Sequence, residues 1–161
     1  MIVRAEKESD WAAIRRVERA AFPGPEEADL VDRLRADGDL RLSLVGVETD
    51  EIVGHLAFSV MQAPFRALGL APVAVSPERQ RTGIGAALIE AGLKQAADKG
   101  WQGVFVLGDP VYYERFSFDV ASAAGFRCRY AGKHFMVRPL GDALPVLSGE
   151  VDYAPAFAAL D

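Results

Sequence analysis

The stretch Pro72-Val73-Ala74-Val75-Ser76-Pro77-Glu78-Arg79-Gln80-Arg81-Thr82-Gly83-Ile84-Gly85-Ala86 constrains this chain more than any other, because an apolar strand runs through a basic loop straight into a helix. A helix start presents unpaired N–H groups and the positive end of the macrodipole, and Gly83 and Gly85 remove the side chains that would hold an anion away. Arg79 and Arg81 add charge that can pair with phosphate oxygens. Such a turn can cradle a pyrophosphate. Taken alone, two glycines are more simply a turn or packing device, and the arginines are as readily solvated. A third glycine for a Rossmann turn is missing, and no Gly-Lys-Ser/Thr closes a Walker-type loop.

The rest of the chain narrows the setting. Its 161 residues suit one compact domain, and 50% hydrophobic with 25% charged residues is a globular profile. A net charge of −5 without a Lys/Arg block argues against nucleic acid as a partner. Cys128 is the only cysteine and His55 and His134 the only histidines, so neither a disulfide nor a multi-cysteine zinc site is expected, and no metal is called for. The charged first twenty residues read against a signal peptide, and no apolar run reaches membrane-spanning length. The expectation is a cytoplasmic protein with no membrane partner.

Periodicity supplies the elements. A strand at Ile2 to Ala5 leads to an amphipathic helix with Ser9 and Asp10 as candidate N-caps, and Ile14, Val17 and Ala21 on one stripe. A second helix through Leu30, Val31 and Leu34 ends near Asp37-Gly38. Strands at Leu40 to Val47 and Ile52 to Met61 are joined by a tight turn, and a third, Leu68 to Val75, follows a loop. Pro72 inside that strand fits a bulge or an edge position. Gly83 to Lys99 reads as a helix, Val104 to Leu107 as a strand covered on both faces, Tyr113 as part of a short helix, and His134 to Leu140 as a last strand. The segment 141–161 lacks clear periodicity and reads as a C-terminal extension of a single domain, 1–161.

In this context Gln80-Arg81-Thr82-Gly83-Ile84-Gly85, after Val73-Ala74-Val75-Ser76-Pro77, resembles motif A of the GNAT superfamily of N-acetyltransferases. Tyr112-Tyr113-Glu114-Arg115-Phe116-Ser117-Phe118 is similar to the family's aromatic-Tyr segment, with Ser117 where glycine is usual. The chain as a whole resembles a bacterial subgroup of predicted N-acetyltransferases. The resemblance implies an α/β (α+β) fold with a mixed central sheet flanked by helices, and parallel strands that splay apart at the cofactor site.

It implies further that acetyl-CoA is the cosubstrate, with Gln80, Arg81, Thr82, Gly83, Ile84, Gly85 and Ala86 at its pyrophosphate. Val73 and Val75 would contact it through their main chain. A primary amine, of a small molecule or of a protein N-terminus or lysine, then attacks the thioester directly. Tyr113 becomes the candidate general acid for the departing thiolate, with aromatic packing as its plainer role. Leu68 to Val75 holds no Asp or Glu to act as base. His55 is a candidate base by its natural titration range, although a structural histidine is the commoner outcome. Glu18 and Glu114 are further options, each with a surface role as the stronger expectation. Pro64-Phe65-Arg66 and Val120 to Arg129 are candidate acceptor-lining segments.

A non-catalytic acyl-CoA-binding regulatory module is the alternative, motivated by the missing carboxylate and by Ser117. A nucleotide-binding scaffold of different chemistry rests on the glycine loop alone. A homodimer is a prior only, dimers being the commonest oligomers; the apolar tail around Phe157 could equally cover the core.

Overall fold

The computed structural model describes residues 1–160. Its centre is a six-stranded sheet of β1 (Ile2–Ala5), β2 (Leu40–Glu48), β3 (Glu51–Val60), β4 (Ala67–Val75), β5 (Gly103–Leu107) and, beyond the short β6 (Phe126–Arg127), β7 (Phe135–Pro139). The strand order is β1-β2-β3-β4-β5-β7. Only β4 and β5 run parallel, joined by α3 (Ile84–Asp98) as the crossover, and all other neighbours in this sheet are antiparallel. A further short strand, β8 (Gly149–Glu150), pairs with β6. The expected mixed α/β architecture is the one observed.

The β2–β3 connection is a two-residue turn with Thr49 at φ 50° and Asp50 at φ 61°, the geometry whose twist matches antiparallel strands. On one face of the sheet lie α1 (Trp11–Ala21) and α2 (Glu26–Asp37), where Ile14 and Val31 pack with Val45, and Leu30 and Leu34 join the aromatic core around Phe105. Helix α2 closes on Gly38 in the left-handed conformation, as the Asp37-Gly38 signal requires. The α1 cap differs from expectation. Asp10 occupies the N-cap position, but its carboxylate accepts instead from the Lys7 N–H at 2.7 Å and pairs with Arg4. Arg4 offers a charge-assisted partner that outcompetes an ordinary cap bond.

On the other face α3 lies directly over Gly54, where a Cβ would come within 2.8 Å of Ile84 Cγ2. The absent side chain lets the helix start settle onto the sheet. The tail is ordered by packing rather than by periodicity. Tyr153, Ala154, Ala156 and Phe157 are buried against the α2-face core, so the apolar tail covers that core.

Candidate active site

Strands β4 and β5 pair only from Ala67 to Gly69 against Gly103 to Phe105; beyond this they part. The register of β4 on β3 slips between Leu56 and Phe58, where Leu70 and Val73 face them and Ala71-Pro72 holds the extra residue. This is the bulge suggested by the proline, and it bends the strand where its partner departs. Past the bulge the backbone groups of β4 alternate in direction. The Ser76 N–H donates to Val53 O at 2.8 Å, and antiparallel strands alternate, so Ser76 and Ala74 bond toward β3 while Val73 and Val75 face away. No strand pairs with β4 on that side. The main chain of Val73 and Val75 is therefore aimed into the opening.

The loop that follows is held by its own side chains. Gln80 Nε2 donates to Val75 O at 3.1 Å, and Thr82 Oγ1 donates to Arg79 O at 2.5 Å. Arg81 takes φ 64° and Gly83 φ 90°, two left-handed positions on either side of Thr82 that turn the chain into α3. Gly83 adopts this without strain, whereas Arg81 does so at a cost of about 1 kcal/mol. The turn borders a cavity of about 460 Å³ lined by Gln80, Arg81, Gly83, Gly85, Tyr112 and Arg115, among others. Arg79 also lines it and sits 3.5 Å from Glu48. A Cβ on Gly85 would lie 3.2 Å from the Tyr112 hydroxyl, so the glycine keeps the cleft open there. Arg115, stacked on Tyr112 at 5.0 Å, brings a third cation that loop spacing alone could not place.

Tyr113 follows β5 through Asp109, whose side chain caps α4 (Pro110–Tyr113) by accepting from the Val111 N–H. Its ring covers Gly108, where a Cβ would lie 2.5 Å away, and contacts Tyr112 and Phe118 edge-on. Burial, with the neighbouring Tyr112, pushes its phenol up to about 12. Ser117 adopts φ 68°, which explains why glycine suits this position.

The candidate bases are placed apart from this cleft's surface. His55 is fully buried, its Nε2 2.8 Å from Ser43 Oγ and its Nδ1 2.7 Å from Glu18 Oε2. Glu18 is fully buried too, so the surface role expected of it is not what the structure gives; Glu114 is exposed. Ser43 hydrogen-bonds Glu6, which is tied to Arg35. An ionised Glu6 only accepts, so Ser43 spends its proton there and must accept from His55 Nε2–H. That leaves Nδ1 and Glu18 sharing one proton. Burial raises the Glu18 carboxyl, opposed by its bond to His55, and Glu18 Oε1 has no partner among the described residues.

From the two expected acceptor segments, Phe65 and Phe126 join the aromatic core. Phe65 packs between Phe105 and Phe126, and Arg66 lies over Trp101 at 4.4 Å. The side of the opening opposite α3 is lined instead by Leu70, Ala71, Leu107, Tyr130, Tyr153 and Phe157. Tyr153 and Phe157 come from the tail that periodicity could not assign.

Residues 11–118 match the model of the acetyltransferase (GNAT) family. The chain belongs to the GNAT acetyltransferase family. Within it, the chain is 35% identical over 164 residues to the uncharacterized N-acetyltransferase YhbS of Escherichia coli K12, covering 98% of both. The uncharacterized N-acetyltransferase YjhQ of the same strain is 41% identical over 119 residues, 69% of this chain and 65% of that relative. Among solved GNAT structures, E. coli YhbS in complex with CoA superposes with a TM-score of 0.91 at 34% identity, over 98% of this chain and 91% of that one. A Brucella melitensis GNAT acetyltransferase in complex with acetyl-CoA gives 0.82 at 37% identity, over 97% of each. Among the described residues no group of His, Cys, Asp and Glu could hold a metal, and no helix is long and apolar enough to cross a membrane.

Proposed function

We propose that this protein transfers an acetyl group from acetyl-CoA to a primary amine by direct attack. The observation that carries the proposal is the opening between β4 and β5, with the main-chain N–H groups of Val73 and Val75 facing it from one wall and the Gln80 to Ala86 turn at its end. The N–H groups at the start of α3, with Arg79, Arg81 and Arg115 around the same cavity, suit a pyrophosphate. The free N–H groups of Val73 and Val75 suit a pantetheine amide and a thioester carbonyl, where an oxyanion develops as the amine attacks. The complexes of YhbS with CoA and of the Brucella protein with acetyl-CoA support this reading.

In the transfer the amine nitrogen forms the new C–N bond, the C–S bond breaks, the amine loses a proton and the CoA thiolate is left to be stabilised. Tyr113 is the candidate for the thiolate. With its phenol near 12, full proton transfer to a thiolate whose parent thiol titrates near 8.5 is uphill by roughly 5 kcal/mol. Tyr113 therefore serves as a hydrogen-bond donor that stays protonated at neutral pH, and the thiolate takes up a proton from water as CoA leaves. His55 and Glu18, a fully buried pair joined at 2.7 Å, are the candidates to pass the amine's proton on to solvent.

Calorimetric titration with acetyl-CoA tests the reading. Wild type should bind it and ATP should not compete, while Gly83→Glu, which sets a carboxylate against the pyrophosphate and strains a left-handed position, should lose binding. Tyr113→Phe should bind normally and turn over at least tenfold more slowly, roughly the effect of one catalytic donor. A folded wild type that ignores acetyl-CoA would overturn the proposal. Tight binding with no turnover on any amine would favour the regulatory module instead.

A further inference from the structure

The opening has a second side. Beyond Gly69 and Phe105, opposite α3, a cavity of about 270 Å³ is bounded by Leu70 and Ala71 of β4, Leu107 of β5, and Tyr130, Tyr153 and Phe157. No charged side chain is among its lining residues. The three aromatic rings form a continuous group, with Tyr130 edge-on to Tyr153 at 5.5 Å and Tyr153 tilted on Phe157 at 4.9 Å. Tyr153 stands at the point where the strands part, its ring 2.6 Å from where a Cβ on Gly69 would be. Only 7% exposed, it carries a buried hydroxyl with no partner among the described residues. The phenols of Tyr113 and Tyr153 also lie close enough for a charge on the first to disfavour one on the second, although the rings pack against cores on opposite faces of the sheet.

A buried hydroxyl is normally satisfied, so one left without a partner, on a ring that lines a cavity beside a reaction site, marks a place for a polar atom of a ligand. Aromatic faces attract a single ammonium, whereas further ammonium groups would need carboxylates that this lining lacks. We infer that this cavity is the acceptor subsite and takes a monoamine on an aromatic or branched aliphatic body, with Tyr153 Oη hydrogen-bonding its nitrogen. This rests on the acyltransferase reading. The ammonium reaches the rings charged, passes its proton to water before attack, and faces the thioester through the gap that starts at Gly69. Polyamines and extended peptides fit this lining poorly.

The test compares phenethylamine, spermidine and a short peptide with a free N-terminus and one lysine, following CoA release by wild type, Tyr153→Phe and Leu107→Glu. Wild type should prefer phenethylamine by about tenfold or more in kcat/KM, the worth of one desolvated aromatic–cation contact. Tyr153→Phe should raise the phenethylamine KM about tenfold with little loss of kcat. Its melting temperature should not fall, because the hydroxyl bonds no protein group. Leu107→Glu, at the exposed mouth, should shift preference toward spermidine. A wild type favouring spermidine or the peptide, or an unchanged KM in Tyr153→Phe, would overturn the inference. If no amine turns over, phenethylamine is titrated into the CoA-loaded protein, and absence of saturable binding overturns it as well. Acetyl-CoA binding is measured in parallel: its absence defeats the acyltransferase reading itself, whereas normal binding without the monoamine preference defeats only the subsite.

Discussion

Glu18 is the residue whose chemistry depends most on where the chain has put it. On α1 it would be one more helix-surface carboxylate, yet it is fully buried against His55, and burial raises its pKa. The consequence for stability has a definite sign. Between the ordinary carboxylate value and the raised folded one, the native state keeps a proton that the unfolded chain has released. This contribution is fully present below the unfolded value and is lost as pH rises through the folded one. Glu18→Gln fixes the neutral form, so urea midpoints taken from about pH 4 to about pH 8 should fall less steeply with pH in the variant than in wild type. The pH profile of kcat separates the two roles of the pair. If Glu18 and His55 pass on the amine's proton, the acid limb moves in Glu18→Gln; an unmoved limb confines them to folding. The sequence suggested both residues as bases without linking them, because 37 positions separate them and their contact exists only once α1 lies on β3.

At the scale of elements, what could be read in advance was whatever the local pattern determines. The strand–turn–helix unit around Gly83 carries its own signals: an apolar run, a proline bulge, glycines and an amphipathic repeat. Tyr113 could be proposed from sequence because its motif sits a few residues past a strand end. The two-residue strands β6 and β8 are too short to show a period, and the 3₁₀ tail from Pro155 to Leu160 has none. Tyr153 could not be assigned to the site because it reaches Gly69 from the far end of the chain. The seating of α3 is likewise a contact between distant segments, and it can be tested. A side chain at Gly54 must displace Ile84 and Leu88, whose atoms lie 2.8 and 3.0 Å from its Cβ. Gly54→Val should cost about 1–3 kcal/mol by overpacking. It should also weaken acetyl-CoA binding by more than its stability loss explains, because Ile84 is the first residue of the helix whose N–H groups face the pyrophosphate cavity. Calorimetry well below the melting temperature reads this, and unchanged affinity would mean that the turn holds its shape independently of the helix seating.

Across the whole molecule the sheet separates two bodies of packed side chains. One lies under α3 with Leu56, Phe58 and Leu88; the other lies under α2 and the tail with Phe105, Phe126, Phe135 and Phe157. The proposed cofactor side depends on the first and the proposed acceptor side on the second, and the two meet where β4 and β5 part. This division gives the tail a part in both, since Phe157 is 6% exposed in the core and also lines the proposed acceptor cavity. Phe157→Ala removes a buried aromatic ring, and the loss should be about 3 kcal/mol, lowering the melting temperature by roughly 6–12 °C for a chain of this length. Because the removed ring lies on the far side of the sheet from Gly83, acetyl-CoA affinity measured well below the transition should stay within about twofold of wild type, as expected for distant independent sites. The amine KM should rise. A parallel loss of acetyl-CoA affinity would show instead that the two faces are coupled through β4, and the opening would then have to be treated as one site whose width the tail sets.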